Sequence, residues 1–101
     1  MPGKSPAQCA ATEAYEEAGA DGKIHDHCLG LFSYTKEMPK GQDNLPCVAL
    51  VYPLKVKKLL SAYPEKSDRK RKWFTLKKAS ERVSEPELSV ILRAFDPRKL
   101  R

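Results

Sequence analysis

The chain has no apolar run that approaches the ~20 residues a membrane-spanning helix requires, and the longest uncharged stretch, around Pro46 to Leu54, falls well short of that. No membrane partner is therefore expected. It opens without the charged-then-apolar pattern of a secretory leader. Cysteine is sparse, and Cys9, Cys28 and Cys47 are odd in number and widely spaced. That excludes a disulfide framework and suits reduced thiols in a cytoplasmic protein. There is no Walker-type glycine loop, no G-x-G-x-x-G run and no Ser-His-Asp order. The glycine cradles that hold nucleotide phosphates in those folds are thus missing. No internal repeat or low-complexity tract appears.

What remains is enough for one domain with a modest core. In 101 residues, 41% are hydrophobic and 32% charged, the balance of a soluble globular chain and not a disordered one. The net charge of +6 favours a polyanionic partner, with nucleic acid, phosphoinositides and nucleotide polyphosphates all admissible.

The organising stretch is Ser5 to Gly19. Ser5 is a good N-cap, Pro6 suits the first helical position, and Gln8 completes a capping box three residues after the cap. Ala7, Ala10, Ala11, Ala14 and Ala18 recur at helical spacing as a thin apolar stripe able to lie close against a sheet. Gly19 supplies a left-handed stop. Glu13, Glu16 and Glu17 stand at i, i+3 and i+4, so their carboxylates cover one sector of that helix. In water such like charges repel. A hard divalent cation reverses the sign, because Mg²⁺ or Mn²⁺ prefers clustered carboxylate oxygens. On spacing alone, an exposed acidic helix face is the plainer reading.

Farther along, Leu29 to Thr35 reads as a strand and Glu37 to Pro46 as the turn of a hairpin. Ala20 to His27 reads as a loop or short extended connection. Its His25, Asp26, His27 and Cys28 lack the paired, separated ligands of a zinc site, so a strand entry is preferred there. Cys47 to Val56 is the most apolar stretch, expected as a buried strand that Pro53 interrupts with a bulge or edge. Lys55 to Tyr63 is assigned a helical turn. Thr75 caps a helix through Val83, and Ser84 with Glu87 marks a second start for a helix to about Phe95, with Leu88, Ile91, Leu92 and Phe95 on its apolar face. Asp96 to Arg101 is a basic tail. The run Arg69, Lys70, Arg71, Lys72 precedes Trp73 and Phe74. Charge and rings together are the composition of a nucleic-acid patch. The alternative, favoured for the rings, is a basic loop followed by two core aromatics.

The segment EAYEEAGA resembles the second half of the Nudix box, R-E-U-x-E-E-x-G-U with U aliphatic, through Glu13, Glu16, Glu17 and Gly19. Thr12 stands where that pattern has Arg, Ala14 and Ala20 are small for U, and Lys4 stands where its first Glu would be. The opening Gly would fall before Met1. LGLFSYTK, VALVYPLKVKKLL and RKRKWFTLKKA then follow the order of a Nudix domain's later strands and last helix. The basic run before Trp-Phe is similar to the branch that hydrolyses diphosphoinositol and diadenosine polyphosphates. An acidic residue often precedes the Trp in that branch, and Lys72 occupies that place here.

The resemblance implies an α/β (α+β) chain, an α/β/α sandwich with a mixed sheet, residues 1–101 forming a single partial Nudix domain that lacks its N-terminal strands. A late start or a truncation is the expected reason, ahead of completion by another subunit. It also implies Mg²⁺- or Mn²⁺-dependent attack of water on a diphosphate linkage in a phosphorylated small molecule. Glu13, Glu16 and Glu17 are the implied metal ligands and catalytic carboxylates, with Glu65 or Asp68 as further candidates for orienting the water. Lys4, Arg69 and Arg71 are the implied phosphate contacts. A homodimer is one way to cover the exposed sheet edge. The competing reading is a basic module without catalysis that binds nucleic acid or another polyanion. Nucleic acid is the less favoured partner, because a polyanion binder gains nothing from three clustered glutamates.

Overall fold

The computed structural model describes residues 3–67 and 70–100. They form two compact units, residues 3–28 with 52–67 and 70–73, and residues 29–51 with 74–100.

The first unit is built on helix α1 (Pro6–Ala18) and strands β1 (Ala20–Ile24) and β4 (Leu54–Leu59), the intervening strands belonging to the second unit. Both halves of the capping box form: the Gln8 amide donates to Ser5 Oγ at 3.2 Å, and the Ser5 amide donates to Gln8 Oε1 at 2.8 Å. Two of the helix's orphan donors are satisfied in this way. At the other end Gly19 takes φ +63°, and its N–H donates to the carbonyls of Ala14 and Tyr15. α1 packs against β1, and Ala7 is buried at 5% exposure. Pairing of β1 with β4 is antiparallel, from Ala20 opposite Leu59 to Ile24 opposite Leu54. The register slips between Asp21, opposite Lys58, and Gly22, opposite Val56, which leaves Lys57 as an extra residue on β4. Only glycine fits at the slip, because a Cβ on Gly22 would run into the Lys55 carbonyl. Two backbone bonds extend the ladder, Leu60 N–H to the Gly19 carbonyl at 2.8 Å and His25 N–H to the Pro53 carbonyl at 3.0 Å.

The second unit holds the hairpin β2 (Gly30–Lys36) and β3 (Leu45–Val51), then α2 (Leu76–Arg82), α3 (Pro86–Ala94) and a 3-10 turn over Pro97–Lys99. The hairpin pairs antiparallel from Gly30 opposite Val51 to Lys36 opposite Leu45. In the connecting turn the Met38 amide donates to Asn44 Oδ1, and the Gln42 amide to the Pro39 carbonyl. α3 packs on β2 and on α2. The Glu87 carboxylate on α3 accepts from both the Ser33 amide (3.0 Å) and the Ser33 hydroxyl (2.7 Å) on β2. It thereby satisfies a strand donor that β3 does not reach. The Ser33 amide, then its hydroxyl, hold the Glu87 carboxyl below its ordinary value.

The α+β class stands, with its strands paired as two two-stranded antiparallel sheets among the described residues, not as one mixed sheet. Four local expectations are corrected. Ala20 to Ile24 is a strand, because its ladder to β4 outweighs a composition poor in β-formers. The apolar stretch Cys47 to Val56 is two strands, not one. Pro53, with no N–H to donate, ends the first, and each half then pairs with a different neighbour. Nor is the first of them buried: Val48 is 64% exposed and Leu50 45%. Lys55 to Leu59 is strand, not a helical turn. The N-cap of α3 is Glu85 and makes no side-chain cap bond. Glu87 is drawn to Ser33 instead of closing a box with Ser84, whose hydroxyl donates to Glu85. Thr75 does cap α2, accepting from the Lys78 amide at 3.2 Å.

Two predictions follow from these contacts. Gly19→Ala places a Cβ 2.5 Å from Tyr63 Cδ1 and 2.9 Å from the Leu60 carbonyl, at a positive φ. It should cost about 2 kcal/mol or more in urea denaturation. For Glu87 the folded pKa is lowered, so its contribution is fully present above the unfolded value and disappears as pH falls through the folded one. The melting-temperature difference between the wild type and Glu87→Gln should hold steady from neutral pH down to about 5, then shrink toward zero in acid.

Candidate functional site

The candidate site lies on α1 and the segments that close its C-terminal end. The cap at Ser5 and the turn at Gly19 fix the helix at both ends, and so fix where its carboxylates project. Glu13 is exposed, and Glu16 and Glu17 are half-buried. Their i, i+3, i+4 spacing brings them onto one sector. A hard cation suits that donor set, yet among the described residues no three His, Cys, Asp or Glu side chains gather closely enough to hold one. The residues therefore fit the looser mode in which one or two carboxylates bind a cation together with waters and substrate phosphates, and not a closed protein cage.

Glu65 is brought beside this sector, since its amide donates to the Glu16 carbonyl at 2.9 Å. Asp68 and Arg69 lie outside the described residues. Lys4 reaches along the helix, its Nζ donating to Thr12 Oγ1 at 2.9 Å, while the Thr12 hydroxyl donates to the Gln8 carbonyl. An ammonium group is thereby held one turn before Glu16 on the same helical row. Thr12, the residue with no arginine to offer, thus carries a lysine.

Arg71 is engaged at the end of α1. Its Nη1 donates to the Ala18 carbonyl at 2.7 Å, and its guanidinium lies 4.9 Å from the centre of the Tyr63 ring. A cation bonded to a last-turn carbonyl is favoured by the helix dipole. The side chain is therefore first a clamp on α1, with a fork of five donors from which a phosphate contact remains chemically open.

Trp73 corrects the expectation of a core aromatic: it is 70% exposed. Phe74 is 38% exposed, with the Arg82 guanidinium 5.0 Å from its ring centre. Trp73 borders a cavity of about 330 Å³ whose walls are Ala18, Ala20, Val56 and Leu59, with Arg71 and Lys72 also lining it. Sequence reasoning assigned none of the four wall residues to a cavity. Their only signal is the small side chain on either side of Gly19 and the apolar alternation of β4, and neither means anything until the strands are paired. Near the other end of β1, partial burial and then Cys28 and Asp26 raise the Tyr52 phenol above its ordinary value.

Comparison with known proteins places this geometry. The chain is 33% identical to Nudix hydrolase 12, mitochondrial, of Arabidopsis thaliana over 76 residues, 73% of this chain and 37% of that protein. Against Nudix hydrolase 16, mitochondrial, of the same plant, identity is 37% over 83 residues, 78% of this chain and 44% of the relative. Nudix hydrolase 13, mitochondrial, shows 31% over 78 residues, 73% of this chain and 39% of the relative. This chain belongs to the Nudix family. It spans about two fifths of the length of these curated relatives. No family model matches the chain, and no solved structure matches it.

The clamp role of Arg71 is testable. Arg71→Ala should lower stability by about 1 kcal/mol, the scale of a charged partner at a helix C-terminus. Arg71→Lys, which keeps the charge without the planar stack on Tyr63, should recover only part of it. Chemical denaturation followed by helical circular dichroism reads both.

Proposed function

We propose that this chain carries the catalytic helix of a Nudix-type hydrolase that cleaves the diphosphate linkage of a phosphorylated small molecule with a divalent metal. The observation that supports it is the glutamate triad of a doubly capped helix, Glu13, Glu16 and Glu17, in a chain whose curated relatives are named Nudix hydrolases. A cation held there would neutralise charge on the phosphate oxygens and make water a better nucleophile. Mg²⁺ is the proposed ion, with Mn²⁺ its substitute. Glu16 and Glu17 are the leading ligands, and Glu13 or Glu65 the group that orients or deprotonates the water. Lys4, its Nζ donating to Thr12 one turn from Glu16, and Arg71, with Arg69 beyond the described residues, supply the substrate's phosphate contacts.

On substrate class we propose diphosphoinositol or diadenosine polyphosphates, on the strength of the basic run before Trp73. Residues 1–101 are proposed as part of one hydrolase domain. We also propose a cytoplasmic location, on Cys9, Cys28 and Cys47, none of which is in a disulfide, and a homodimer. The relatives carry "mitochondrial" in their names, and fractionation of the tagged protein decides the compartment.

The reading of a basic module without catalysis differs at one residue. Glu16→Gln should reduce turnover of a diphosphate substrate panel in Mg²⁺ or Mn²⁺ by roughly a hundredfold or more with the circular dichroism spectrum unchanged. A polyanion binder would tolerate the change or bind more tightly. The single readout is formation of the two hydrolysis products, separated by chromatography, with and without the metal.

A further inference from the structure

We infer that the outward face of the β1–β4 sheet is a docking surface for the sugar-phosphate backbone of double-stranded nucleic acid. Exposure alternates along both strands, and residues paired across the sheet share a face. Gly22, Ile24, Leu54 and Val56 are half-buried on one face, the face on which Ala20, Val56 and Leu59 approach Ala18 of α1. Lys23, Lys55 and Lys58, with Asp21, are exposed on the other. The bulge beside Gly22 adds a further cation. An extra residue in β4 breaks the alternation, so that Lys57 and Lys58, consecutive in sequence, are both exposed.

This arrangement carries an unanswered charge. Lys23 stands directly opposite Lys55, and like charges so placed destabilise a sheet. None of the side chains of Lys23, Lys55, Lys57 and Lys58 is hydrogen-bonded or ion-paired to another described residue. Asp21, across from Lys58, is the one carboxylate on the face. An anionic partner would turn the repulsion into attraction.

The residue types select which partner. Protein interfaces are anchored by buried aromatic and apolar side chains and are depleted in lysine, and this face has no such anchor. A single strand needs rings on which its bases stack, and none stands here. Firm hold on a lipid surface needs apolar side chains that enter it, and they too are missing. A duplex hides its bases and turns a regular row of phosphates outward, for which the point charges of lysine suffice. Lysines two apart on β4 stand about 7 Å from one another, and those facing across the pair about 5 Å, so several can reach neighbouring phosphates. With no arginine, asparagine or glutamine among them to read base edges, binding is independent of sequence.

The glutamates that disfavour a polyanion sit on α1, beyond the half-buried face of this sheet. The inference therefore stands or falls apart from hydrolysis.

Fluorescein-labelled DNA and RNA duplexes, titrated in a metal chelator and read by anisotropy, are the probes. Saturable binding is expected, equal for two unrelated sequences, and on DNA log K should fall against log salt with a slope of about −3.6, roughly 0.9 for each lysine that neutralises a phosphate. Lys55→Gln should make that slope shallower by about 1 and weaken both sequences alike. It should keep the fold by circular dichroism, since it relieves the opposition to Lys23. Lys40→Gln, an equal loss of charge in the exposed hairpin turn of the second unit, should leave binding unchanged. The inference is overturned if neither duplex binds saturably, whether or not phosphatidylserine vesicles do. It is overturned as well if a single strand binds more tightly than the duplex, or if Lys40→Gln weakens binding as much as Lys55→Gln.

Discussion

The turn at Gly19 is the constraint on which the first unit depends. Its N–H closes α1 on Ala14 and Tyr15, and its carbonyl takes the Leu60 amide and so continues the β1–β4 ladder. One residue earlier, the Ala18 carbonyl takes Arg71. Three segments far apart in sequence thus converge on two consecutive peptide groups. A left-handed φ is what allows the helix to end there and the next residue to enter a strand at once. Because Tyr63, Leu60 and Arg71 crowd the glycine, no side chain has room there.

The same closure explains the division of labour on α1. Its small-residue side faces β1, and a cavity remains where Ala18 and Ala20 meet β4. On the other side Glu13, Glu16 and Glu17 share one sector, a spacing at which like charges repel. Lys4 brings one positive charge to the row of Glu16 through Thr12, and a divalent cation with a polyphosphate would bring more.

In the second unit, satisfaction of backbone donors matters more than burial. The Ser33 amide on the edge of β2 finds its acceptor in Glu87 of α3, which costs α3 its own capping box. The hairpin keeps Leu31 opposite Leu50, both exposed, and a two-stranded sheet with an open apolar face is marginal without further packing. The tie from α3 is therefore what holds β2 beyond its pairing with β3.

How much could be read beforehand follows from how local each signal is. The caps of α1 at Ser5 and Gly19, the cap of α2 at Thr75, the β2–β3 hairpin and the i, i+3, i+4 glutamates all depend on residues close in the chain, and all were legible. The strand at Ala20–Ile24, the split at Pro53, the diversion of Glu87 and the use of Arg71 as a clamp were not. Each is decided by a partner tens of residues away whose position no local pattern carries. Trp73 shows the limit most directly: its composition suits a core or a surface equally, and only the pairing of β1 with β4 leaves the cavity it borders. Sequence alone determined the helix and its charges, because short-range sterics and spacing suffice for those, while the family came from likeness to other sequences. Tertiary structure decided which cation caps α1, which ring meets solvent and where a cavity remains, because those turn on long-range contacts that compete for the same few polar groups.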